Sequence, residues 1–143
     1  MDSFLSNLSL GFSVALSLKN IALCFAGCMV GTLIGVLPGV GPIATIAMLL
    51  PITFGLDPTG ALIMLAGIYY GAMYGGSTTS ILVNVPGEPA SVVTTLDGYA
   101  MARKGRAGAA LAVAAIASFA AGTVSVIALQ LFAPLLARSA LAF

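Results

Sequence analysis

Apolar residues occupy this chain in four long stretches, cut by compact groups of glycine, proline and hydroxyl residues. Ser3–Leu18, Ile21–Leu56, Pro58–Gly87 and Ala107–Ala137 carry no charged side chain and measure 16, 36, 30 and 31 residues. A helix that crosses a bilayer needs about 20. The pattern predicts a short interfacial helix over Phe4–Leu18 and a spanning helix over Ile21–Leu37, capped by Asn20. Leu37-Pro38-Gly39-Val40-Gly41-Pro42 must interrupt it, since proline has no amide hydrogen and glycine tolerates left-handed backbone. A second piece starts at Pro42 and runs to Leu50 or Phe54, with Pro51 bending or ending it. Asp57 and Pro58 suit the cap and first turn of a third helix, reaching Tyr74. Gly75-Gly76-Ser77-Thr78-Thr79-Ser80 is read as the next break, Ile81–Val85 as a short apolar piece, and Pro86-Gly87-Glu88-Pro89 as a further break. Ser91–Ala102 reads as a short amphipathic helix. Ala107–Ala137 reads as a spanning helix, tilted or begun outside the hydrocarbon because of its length.

Composition turns this pattern into a class. The 143 residues are 60% hydrophobic and 6% charged, with no His and no Trp. A soluble domain carries about 25% charged residues, because its surface faces water. A soluble enzyme, a nucleic-acid binder and a disordered tail are thereby excluded. The fold class is all-α and integral to the membrane: one transmembrane domain over residues 1–143, a multi-span bundle with Gly/Pro-broken, discontinuous or re-entrant helices. Arg103, Lys104 and Arg106 share the polar loop Asp97–Arg106, which the positive-inside bias places in the cytoplasm. Met1-Asp2-Ser3 lacks the basic start of a signal peptide. Cys24 and Cys28 share a helix face, but without histidine or a second cysteine pair they make no metal site and read as small hydrophobes facing lipid or a neighbouring helix.

Two glycine stripes, Gly27/Gly31/Gly35 and Gly67/Gly71/Gly75, precede the first two interruptions. Glycines four apart lie on one face and let a second backbone approach, which accounts for them as packing. A compatible reading adds that each stripe lets a helix end deep in the bundle, where its broken end lines a site. The interruptions allow two readings as well. Each is a loop at the membrane surface, or it is irregular chain at depth, which survives only where protein or water satisfies its polar groups. Secondary transporters build substrate and ion sites from such broken helices. A helix starting at Pro42 presents free amides and positive dipole to a carboxylate, and Gly39 and Gly41 leave the backbone open to it. Ser77, Thr78, Thr79 and Ser80 offer hydroxyls and Asn84 an amide, although a Ser/Thr run also serves to cap a helix or bond back to the preceding turn. The three longest runs contain no acid for a proton relay, which favours Na⁺ held by neutral oxygens. Glu88 and Asp97 are expected to be solvated or interfacial. No Ser–His pair, aspartate pair or metal ligand set for membrane proteolysis is present, so no enzyme activity and no cofactor are expected.

Gly35-Val36-Leu37-Pro38-Gly39-Val40-Gly41-Pro42, together with Gly67–Tyr74 and Gly75-Gly76-Ser77-Thr78-Thr79-Ser80-Ile81-Leu82-Val83-Asn84-Val85-Pro86-Gly87, resembles the large membrane subunit of the tripartite tricarboxylate transporters. Leu96-Asp97-Gly98-Tyr99 and the Lys104-Gly105-Arg106 loop are similar to that family too. The resemblance implies the N-terminal portion of a longer permease, one half of an inverted repeat, in a bacterial inner membrane. It implies uptake of citrate-like tri- or dicarboxylates delivered by a periplasmic binding protein, alongside a small membrane subunit, as symport driven by an ion gradient, usually Na⁺. Carried to this chain, Gly39, Gly41, Ser77, Thr78, Thr79, Asn84 and Gly87 are expected to bind substrate, and Ser77, Thr79 and Ser80 the ion. Two other readings stay open: a half-size subunit that dimerises into a channel or transporter, and an assembly subunit that transports nothing.

Overall fold

The computed structural model describes residues 2–140, and the side chains of residues 6–133. Helix α1 (Asp2–Ala15) leads through a turn into α2 (Leu18–Gly35). Ser17 caps α2, its Oγ accepting the Asn20 amide at 3.4 Å, so Asn20 lies inside the first turn rather than at the cap. Its Nδ2 instead donates to the Val14 carbonyl at 2.9 Å and ties α1 to α2. The Pro-Gly interruption forms where expected, with Gly39 at φ +83°, a value that L side chains rarely adopt. Gly41 then caps α3 (Pro42–Leu49), with Pro42 in the first turn. At Leu50 the helix tightens into a 3₁₀ segment, Leu50–Gly55, where Pro51 has no amide to continue the α-helical ladder.

Asp57 caps α4 (Pro58–Val83), its Oδ2 accepting the Gly60 amide at 2.9 Å. Here the expected break at Gly75–Ser80 does not occur. α4 continues unbroken for 26 residues and ends at Asn84, in the left-handed conformation at φ 61°. Gly75 and Gly76 lower helix propensity by roughly 1 kcal/mol each. Close backbone packing offsets that cost, and the hydroxyls that follow bond to their own helix rather than compete with it. Past Pro86–Glu88 the chain winds irregularly: a 3₁₀ turn Pro89–Ser91, α5 (Val92–Thr94), a π-helical turn Thr95–Tyr99, and α6 (Ala100–Arg103). The amphipathic helix expected over Ser91–Ala102 is therefore real as helical chain but not as one regular helix. A turn with Gly105 at φ +76° leads into α7 (Ala107–Ala140).

The glycine stripes set the packing. A Cβ on Gly27, Gly31 or Gly35 would fall within 3.0 Å of the backbone carbonyl oxygens of Met64, Ile68 and Ala72 in turn. From the other side, one on Gly67, Gly71 or Gly75 would meet the carbonyls of Cys24, Cys28 and Thr32. Both series ascend together, so α2 and α4 run parallel with their backbones in contact. Parallel neighbours require the intervening chain to travel back along their length. α3 and its 3₁₀ extension, 8 and 6 residues, cover roughly 24 Å, close to the ~27 Å of the 18-residue α2. α7 runs antiparallel to α4: Ala110–Ser118 share a cavity with Ser77 and Ile81, and Gly122 reaches Tyr70.

The core is small and the periphery large. Ile68 and Ala72 are 0% and 2% exposed, while Phe25, Leu33 and Phe119 are 65%, 69% and 78% exposed. Such wide apolar exposure does not suit a monomer in water. Among the described residues two helical stretches are long and apolar enough to cross a bilayer, Leu18–Gly35 and Ala107–Ala133. α4 is richer in glycine, hydroxyls and tyrosine, and takes the centre against α2, α3 and α7. Cys24 and Cys28 have exposed side chains, as expected of small hydrophobes.

At the end where α2 and α4 begin, Lys19 Nζ pairs with Asp57 Oδ1, and both side chains remain largely exposed. Lys19 and the cap bond from Gly60 hold the Asp57 carboxyl below its usual range. An acid lowered on folding adds stability above its unfolded pKa and loses it as pH falls through the folded value. Asp57→Ala is expected to lower the melting temperature at neutral pH, whereas Asp57→Asn keeps a capping oxygen and changes it less. The Ala-to-parent difference should shrink on acidification; a difference independent of pH would show the charge to be irrelevant there.

Candidate functional site

At the opposite end, two interruptions meet. Gly39 and Gly41 line one side of a cleft of about 270 Å³, and Pro86, Gly87, Glu88, Pro89 and Val92 line the other. This is near the lower end of small-molecule sites, about 300 Å³. The parallel register explains the meeting. α2 ends at the level of Gly76 on α4, α4 runs on to Val83, and the loop after Asn84 turns back so that Gly87 lies against Gly76. A Cβ on Gly87 would strike the Gly76 Cα and come within 3.3 Å of the Gly35 carbonyl oxygen. Gly41 is different: a Cβ there would meet only the Glu88 Cβ, at 3.9 Å, an ordinary contact.

The α3 N-terminus opens onto this cleft. First-turn amides have no partner within their helix, and the dipole adds partial positive charge. Behind it, the fully buried Thr45 donates through Oγ1 to the Gly41 carbonyl at 3.1 Å and holds the cap. The arrangement can accept an anionic oxygen at the backbone with little steric cost.

The hydroxyl run is placed otherwise than the sequence suggested. Ser77 Oγ donates to the Met73 carbonyl at 3.2 Å and Thr78 Oγ1 to Tyr74 at 2.9 Å. Thr79 and Ser80 both donate to Gly76 at 2.9 Å. Thr79 and Ser80 are buried at 6% and 0% exposure, and Ser77 lines a different cavity, with Thr94, Asp97 and Ser118, between α4 and α7. Successive residues on a helix point about 100° apart, so Ser77 and Thr79 do not converge on one point. Asn84 is exposed and ends α4. Of the residues singled out, the fold gathers Gly39, Gly41 and Gly87 and disperses Ser77, Thr78, Thr79, Ser80 and Asn84 along one helix.

Glu88 is the lining residue that sequence reasoning set aside. Its position outside the apolar runs suits a solvated or interfacial residue, and the structure places it half-buried in the cleft wall. Its loop lies outside the spanning helices, and burial there holds the carboxyl above the usual carboxylate range. The available signal was its position directly after the Pro86-Gly87 break, which by itself does not show what it faces.

A helical bundle with large apolar side chains outward and broken helix ends brought together defines an all-α membrane protein. Residues 21–143 match the Tripartite tricarboxylate transporter TctA family, and the chain belongs to that family of transporter membrane components. It is also 64% identical over 143 residues to an uncharacterized 52.8 kDa protein in the TAR-I ttuC' 3' region of Agrobacterium vitis. That alignment covers all of this chain and 28% of the relative, so the chain spans well under a third of that protein's length. No solved structure matches it.

Proposed function

We propose that this chain contributes the Gly39–Gly41–Gly87 cleft to a membrane permease that takes up tri- and dicarboxylates such as citrate, driven by a cation gradient. The observation that carries the reading is the meeting of the two interruptions. It places an open, glycine-lined helix N-terminus at a cleft of small-molecule size in a chain of the tricarboxylate transporter family. Helix N-termini favour carboxylates through amides and dipole. In such a system the substrate arrives on a periplasmic binding protein and a small membrane subunit completes the assembly. The membrane is a bacterial inner membrane, with loop 97–106 on the cytoplasmic side by its Arg103, Lys104 and Arg106. The Lys19–Asp57 end of α2 and α4 then faces the other side.

Gly41→Ala tests this directly, because the structure leaves room for the methyl group. Folding and membrane insertion should be unchanged, while the methyl stands between substrate and the α3 amides. Citrate uptake by the complete transporter is expected to fall about tenfold or more, which corresponds to loss of ~1.4 kcal/mol or more of binding. Parent-level uptake by a well-inserted Gly41→Ala protein would remove the cleft from the transport path.

A further inference from the structure

We propose that Glu88 is the proton-coupling group of the cleft: its carboxyl must be protonated before a polycarboxylate anion binds between Gly39, Gly41 and Gly87. The proposal rests on the reading of this cleft as the substrate site. The Glu88 side chain occupies the space between two helices. Its Cβ stands 3.9 Å from where a Gly41 Cβ would be, and its Cγ 3.8 Å from where a Gly76 Cβ would be. Every other lining residue is glycine, proline or valine. Among the described residues, no side chain of opposite charge pairs with it. The end of α2, α3 and the adjoining part of α4 belong to Ile21–Leu56 and Pro58–Gly87, which contain no charge, and Tyr74 on α4 does not line the cleft. Asp97 lines the separate cavity against α7, and Lys19 pairs with Asp57 at the far end of the bundle.

An ionised carboxylate in that wall repels an incoming carboxylate, and the low dielectric strengthens the repulsion. A neutral carboxyl instead donates a hydrogen bond to the anion. Burial favours the same neutral form, in agreement with the geometry. The cycle balances simply. Glu88 takes up a proton from the entry-side solution before the anion binds; when the anion leaves on the other side, the carboxyl ionises and releases that proton there. A hard metal cation needs several oxygen ligands at once. This wall supplies one carboxylate, while the Thr79 and Ser80 hydroxyls are buried inside α4. The long apolar runs hold no acid, and the fold brings one from outside them to the cleft.

The test uses the complete transporter in proteoliposomes, with citrate affinity and uptake measured between about pH 5 and 9 for the parent and Glu88→Gln. The substrate's own titration cancels in the ratio of the two affinities. That ratio is expected to fall about tenfold per pH unit above the Glu88 pKa, the slope of one linked proton. A ratio constant across the range overturns the proposal. A second reading needs no variant: parent uptake without an imposed pH gradient should draw protons in with citrate, and electrogenic uptake that moves Na⁺ and no protons overturns it too. A parent protein that neither binds nor transports citrate at any pH sinks the transport reading itself, which separates the two failures.

Discussion

Gly71→Val should leave little folded protein in the membrane. A Cβ at Gly71 falls on the Cys28 carbonyl and within 2.9 Å of the Thr32 amide nitrogen, both backbone atoms of α2 that cannot rotate aside. Valine adds two methyl groups to that collision. Overpacking a well-packed core costs about 1–3 kcal/mol, and more when backbones must part. Here the whole seam would have to open, because Gly27, Gly31, Gly35, Gly67 and Gly75 make equivalent contacts along both helices. The measurement is the yield and thermal midpoint of detergent-solubilised protein, with Gly108→Ala as control. Gly108, in the first turns of α7, has nothing within 4 Å of a Cβ, and alanine there should be neutral or gain up to ~1 kcal/mol in helix propensity. A Gly71→Val protein as stable as the control would mean that α2 and α4 do not pack as described.

Gly87→Ala should separate function from folding as Gly41→Ala does, but from the opposite wall of the cleft. Its methyl group would collide with Gly76 and crowd the Gly35 carbonyl, yet Gly87 lies in a loop that can shift where a helix cannot. The protein is expected to insert, with the Pro86–Pro89 wall displaced from Gly39 and Gly41. A strain of about 1–3 kcal/mol placed on the wall corresponds to a roughly fivefold to 150-fold fall in citrate uptake. Normal uptake by Gly87→Ala would show that this wall does not contact substrate. Read together, loss in both Gly41→Ala and Gly87→Ala with intact insertion locates the binding determinant in the cleft rather than in the hydroxyls of α4.

Pro42, Pro51, Asp57 and Pro58 acted where local chemistry places them, at a helix start, a tightening, a cap and a first turn. These are effects of one residue on its own backbone. Gly75–Ser80 misled, because composition alone does not distinguish a break from a helix whose glycines touch a neighbour and whose hydroxyls bond to their own carbonyls. Asn20 and Ser17 show the same limit on a smaller scale, since both can cap and only the bend after α1 decides which does.

By itself, the sequence determined that the chain is helical and membrane-embedded, where most helices begin, and which faces carry glycine. Those properties follow from charge count, hydrophobic length and the covalent peculiarities of glycine and proline, all local. Only the tertiary structure decided that the two stripes face each other in parallel. From that register it follows that α3 must run back, that α4 outruns α2, and that the following loop folds down onto Gly76. The cleft, and the placement of Glu88 in its wall, come from that register. No residue encodes it alone: it is set where two backbones come into van der Waals contact over their whole shared length.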